Sequence, residues 1–175
     1  FQAWAEEQSV AVKRESLWTN LSPFKAQSAG KAKLTVKPDH SVLVSGKSPD
    51  KDTYTLSFTN LPSEIQALRI EALPDPSLPA QGPGRAGNGN FVLSRIRCTI
   101  AQTNGQSEGV QFTNARASFE QERSEEPRLW SAISVLSTNK DEETSGWAIF
   151  PQVGKSQQLI IHPAAPLNSD PTATL

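Results

Sequence analysis

The feature that most constrains this chain is a period-two alternation of apolar and polar residues, recurring between clusters of glycine and proline. Tyr54, Leu56 and Phe58 fall on one side of an extended segment while Thr55, Ser57 and Thr59 fall on the other, the spacing of a strand with one buried and one wet face. Leu68, Ile70 and Ala72 alternate with Arg69 and Glu71 in the same way. Leu34 and Val36 precede a Pro38-Asp39-His40 turn, and Val42 and Val44 follow it, which predicts a hairpin. Further strands are expected over 91–100, 110–119, 146–150 and 158–162, with Ile96, Cys98 and Ile100 sharing one face. Beyond the first sixteen residues, only 116–132 has room for another helical turn. Many short strands joined by Gly- and Pro-rich turns predict an all-β, antiparallel sandwich or barrel. In this reading Tyr54, Leu56 and Phe58 are core, and Cys98 is a small core hydrophobe.

The 175 residues suit one domain. Residues 1–16, with Phe1, Trp4 and Ala5 at helical spacing, are expected to form a short helix or linker, and 17–175 a single β module. A chain that starts at Phe1 and has no methionine reads as a piece of a longer polypeptide. No apolar stretch is long enough for a membrane-spanning helix, so membrane insertion is not expected. Lys and Arg number 17 against 18 Asp and Glu. Such a balance provides no field to attract a polyanion, which argues against nucleic acid as a partner. Cys98 stands alone, so neither an internal disulfide, a covalent haem nor a clustered zinc site is expected.

His40 and His162 are the only histidines, and no nucleophile elbow, zinc-protease helix or phosphate loop occurs. The chain is therefore expected not to be an enzyme. Residues 75–90 hold Pro76, Pro79, Gly82, Pro83, Gly84, Gly87 and Gly89, a density of punctuation that suits a loop of fixed shape. Sugar-binding sandwiches set an aromatic platform beside amides, carboxylates and guanidinium groups, because a sugar has an apolar C–H face rimmed by hydroxyls. Trp18, Trp130 and Trp147, with Arg85, Asn88 and Asn90, supply candidates for those parts. Each also has a structural reading: tryptophans fill cores, and Arg85 can satisfy carbonyls stranded by the loop. Asp50, Asp52 and Asp75 are hard-oxygen candidates, so any metal bound is expected to be calcium.

Several strings carry a resemblance: LWTNLSP at 17–23, DHSVLVSG at 39–46, PDKDTYT at 49–55, ALRIEALPD at 67–75, SLP at 77–79, GPGR at 82–85, NGNFVL at 88–93, then WAI at 147–149 and PQVGK at 151–155. Together they resemble a module of planctomycete exported proteins that lies between paired domains of unknown function, often behind a cytochrome-c-like domain. The later part is similar to the galactose-binding-like jelly roll of discoidin domains, where an Ala-Ile-Asp-Gly turn precedes a Thr-Gly-Trp strand start. Here Ser134 and Val135 follow Ala132-Ile133, and the Asp and Gly are absent. The resemblance implies a jelly-roll β-sandwich lacking its last strands, exported to the periplasm or beyond, with the flanking domains of its parent polypeptide as partners.

The expected function is a non-catalytic accessory binding module, with polysaccharide as its ligand. The alternative is a structural spacer that packs against the flanking domains, orients them, and binds nothing itself.

Overall fold

The structure is a computed structural model, and it describes residues 17–101, 106–122, 130–138, 145–168 and 174–175. The segment 1–16, read above as a helix or linker, lies outside the described residues. The strands are β1 (Pro23–Ser28), β2 (Ala32–Val36), β3 (Val42–Gly46), β4 (Tyr54–Phe58), β5 (Glu64–Ile65), β6 (Leu68–Ala72) and β7 (Val92–Leu93). They continue with β8 (Thr99–Ala101), β9 (Ser107–Gly109), β10 (Phe112–Ala117), β11 (Trp147–Ala148), β12 (Gln157–Pro163) and β13 (Leu167–Asn168). Among the described residues the only helical elements are two 3-10 turns, Pro79–Gln81 and Ala132–Leu136. All strand pairs are antiparallel. The described residues are all-β, as the alternation predicts.

The chain divides into two compact units where the sequence suggests one module. The first runs to Pro62 and includes Thr174–Leu175. In it β2 and β3 form the expected hairpin, with Leu34 opposite Val44 and Val36 opposite Val42. The connecting turn is closed by Lys37 N–H donating to the Ser41 carbonyl at 2.8 Å, with His40 in the left-handed region at φ 69°. β1 pairs with β4. Asp52 braces this pair: one carboxylate oxygen accepts from Gly30 N–H at 2.6 Å and Thr53 N–H at 2.8 Å, and the other from the Ser28 hydroxyl at 2.6 Å. On β4, Phe58 exchanges both main-chain hydrogen bonds with Leu175, at 2.9 and 3.0 Å.

The expected burial of the β4 face is not found. Tyr54 is 44% exposed and Leu56 37%, and Phe58 is half-buried. Alternation marks a face as apolar, but burial needs a second layer over it. β4 belongs to a two-stranded sheet.

The second unit, Ser63–Ala173, is built on a three-stranded sheet in the order β10, β12, β6. Along β12 the buried residues are Gln157, Leu159 and Ile161, at every second position. Ala115 of β10, opposite Ile161, keeps the surface low there, and Ala132 and Val135 of the second 3-10 turn join Leu159, Ile161, Trp147 and Ile149 in one cluster. The buried Gln157 is satisfied: its side-chain oxygen accepts from the Ser118 hydroxyl at 2.6 Å, and its amide donates to the Gln152 carbonyl at 3.4 Å.

Three further expectations are corrected here. The strand expected over 91–100 is broken into β7 and β8, because Ile96 N–H leaves the ladder to bond the Val135 carbonyl at 3.0 Å. Cys98 is half-buried, not core, and partial loss of water pushes its thiol up to about 11. The helical turn expected within 116–132 instead begins at Ala132, with 123–129 outside the described residues.

Candidate binding site

The glycine-rich loop folds back on itself. Gly84 N–H donates to the Gly89 carbonyl at 2.9 Å, and Gly89 N–H to Ala86 at 2.8 Å. A side chain at Gly84 would collide with the Asn90 carbonyl, so the two limbs touch backbone to backbone. Gly89 sits at φ 77°, a conformation that other residues resist. The loop therefore fixes where Asn90 leaves it.

Asn90 is the loop's link to the rest of the unit. Its Oδ1 accepts from Ile149 N–H at 3.1 Å, and its Nδ2 donates to Gln121 Oε1 at 2.9 Å. Gln121 Oε1 also accepts from Phe150 N–H at 3.3 Å, and Gln121 N–H donates to the Ala148 carbonyl at 2.9 Å. Three contacts thus lay segment 119–121 beside β11 and the turn after it. The third is the Trp147 indole N–H, which donates to the Phe119 carbonyl at 2.9 Å.

Gln152 N–H donates to the Ile149 carbonyl at 2.7 Å, closing a four-residue turn with Phe150 and Pro151 at its tip. The tip cannot turn both large side chains inward, and Phe150 remains 44% exposed. Phe119, Gln121, Glu122, Phe150, Pro151 and Gln152 line an open cleft of about 430 Å³, within the range that holds a small ligand. Chemically the cleft offers ring and pyrrolidine surface for an apolar face, two amides, and one carboxylate.

The residues picked out by sequence fall elsewhere. Trp147, considered as a platform, is fully buried and meets Phe91 edge-on with ring centroids 5.1 Å apart. It is a core residue, since its indole fills the cluster and its N–H is spent on Phe119. Trp18 and Trp130 are half-buried. Arg85 is half-buried and engaged with another group of the protein. Asn88 is exposed and its Oδ1 accepts from Asn90 N–H at 3.1 Å, a local turn bond. Asn90 does not line the cleft but braces Gln121, which does, and both its side-chain polar atoms are committed to protein partners.

The three aspartates do not form a cluster. Asp50 is exposed, Asp52 accepts the three bonds described above, and Asp75 accepts from Ser77 N–H and hydroxyl at 2.9 and 2.6 Å. Among the described residues no group of three or more His, Cys, Asp or Glu is placed to hold a metal ion.

Sequence reasoning missed the cleft. One signal was present: Trp147-Ala-Ile-Phe150 is a continuous apolar run stopped by Pro151, so the last residue must turn outward when the strand ends. No family model matches the chain, and no curated protein or solved structure was found to match it.

Proposed function

We propose that this chain is a non-catalytic accessory binding module that takes carbohydrate into the cleft between Phe119 and Phe150. The observation that carries the reading is the convergence there of exposed aromatic surface with Gln121, Glu122 and Gln152. A sugar ring stacks its C–H face on such surface while its hydroxyls exchange hydrogen bonds with amides and a carboxylate. The fold that accompanies this reading is a galactose-binding-like jelly roll within a larger exported protein, and that part rests on the motif resemblance.

A second reading, the structural spacer, is favoured by the complete burial of Trp147 and the commitment of Asn90 to internal bonds. In that reading Phe150 is a contact for a flanking domain of the parent polypeptide. Calorimetry against neutral and sulfated polysaccharides separates the two. Binding that weakens about tenfold or more in Phe150→Ala supports the cleft, whereas silence across the whole panel leaves the spacer.

A further inference from the structure

The cleft's hydrogen-bonding polarity is set by main-chain groups, which cannot rotate to suit a side chain. Ile149 N–H requires an acceptor and receives Asn90 Oδ1 at 3.1 Å; Phe150 N–H requires one and receives Gln121 Oε1 at 3.3 Å. With both oxygens assigned, Asn90 Nδ2 donates to Gln121 Oε1 at 2.9 Å. Reversing either amide would set an N–H group against a main-chain N–H and lose a bond, partly buried at Ile149 and exposed at Phe150. Gln121 Oε1 is thereby occupied by two donors. Among the described residues Gln121 Nε2 has no acceptor, and it belongs to a side chain that lines the cleft.

We infer that Gln121 Nε2 is the specificity-determining donor of this cleft, directed at an acceptor oxygen of an uncharged sugar, and that Asn90 is the positioning residue that holds it. The inference rests on the binding reading above and adds the ligand's polarity. A donor of fixed orientation costs no reorganisation when a ligand arrives, so it selects ligands that place an oxygen at that point. The Glu122 carboxylate at the same cleft disfavours uronate and sulfate groups.

Two substitutions separate donor from scaffold. Gln121→Glu keeps an oxygen for Asn90 Nδ2 and Phe150 N–H but removes the donor. Asn90→Asp keeps the acceptor for Ile149 N–H but turns an oxygen toward Gln121, which draws Nε2 away from the cleft. Cellotriose and chitotriose, both neutral trisaccharides, serve as probes in calorimetry. Each substitution is expected to lower affinity about tenfold or more, while Asn88→Ala, which loses only a local turn bond, leaves affinity within about twofold. Cooperative denaturant unfolding checks that each variant folds. Where one does not, the Gln121 side-chain amide signal of the wild type decides: it should shift when the bound trisaccharide is added. Unchanged affinity in both folded variants, or binding without any shift at that amide, overturns the inference and leaves the binding reading standing. If the wild type binds neither trisaccharide nor any polysaccharide of the panel above, the binding reading fails and this inference falls with it; binding to sulfated polysaccharides alone overturns the inference and leaves the binding reading standing.

Discussion

The two units carry the same kind of sequence pattern and bury it to different depths. In the second, Trp147, Ile149, Leu159 and Ile161 are each 0% exposed. In the first, the strand with the most regular alternation, β4, leaves Tyr54 44% and Leu56 37% exposed. The difference lies in what each strand is given to pack against. β12 is the central strand of three and faces a 3-10 turn and the apolar run of β11, whereas β4 pairs with β1 in a sheet of two. A two-stranded ribbon supplies edges and faces without an interior. Alternation therefore reports that a strand exists and which way it faces. Depth of burial depends on partners elsewhere in the chain.

The largest effect expected to test this contrast is at Trp147. Trp147→Ala removes a fully buried indole, its edge contact with Phe91 and its bond to the Phe119 carbonyl. A loss of about 3–5 kcal/mol in denaturant unfolding is expected, from cavity formation and the stranded carbonyl together. A loss under about 1 kcal/mol would show that the second unit lacks the rigid core described here.

The same contrast explains what the sequence revealed. The hairpin of β2 and β3, and the strands β4, β6, β10 and β12, lie where local periodicity predicts them, because the period of a strand is written in neighbouring residues. The break between β7 and β8 is set by Val135, far along the chain, and could not be read from 91–100 itself. The site was less legible still. Asn90 was noticed for its amide and loop, but its partners lie 31 and 59 residues away. Gln121 stands in a stretch without periodicity, and only the folded chain shows that its oxygen meets two donors. For Trp147 the sequence left two readings, core and platform, and its complete burial belongs to the core reading, which the area of an indole favours.

A smaller effect is expected at Phe58. If β4 were core, Phe58→Ala would cost about 3–5 kcal/mol. With Phe58 half-buried in the structure, the expected loss is about 1–2 kcal/mol, since only part of the ring's area returns to water. Its main-chain bonds to Leu175 survive the substitution. Equal losses for Phe58→Ala and Trp147→Ala in the same assay would erase the distinction between the units.

The smallest effect concerns the turn of the hairpin in the first unit, where stability is local and exposed to solvent. Asp39 lies below its ordinary carboxylate value, first because the Ser41 hydroxyl donates to its Oδ1 at 2.7 Å, and next because Ser41 N–H donates to the same oxygen at 3.0 Å. Both bonds favour the ionised carboxylate, so the native state binds its proton less readily than the unfolded chain does. The resulting contribution is present above the unfolded value and is lost as pH falls through the lowered native one. Near neutral pH the turn should therefore be insensitive to pH, and acid should loosen it. Because the carboxylate is in full contact with water, loosening should appear as a change in the turn's own NMR signals rather than in the global unfolding midpoint. Ser41→Ala removes the larger cause and should move Asp39 up toward its ordinary value in a carboxyl-carbon titration. An Asp39 titration that is the same with and without the Ser41 hydroxyl would show that this pair does not hold the turn, leaving it to the main-chain bonds Lys37 N–H to Ser41 at 2.8 Å and His40 N–H to Lys37 at 2.9 Å.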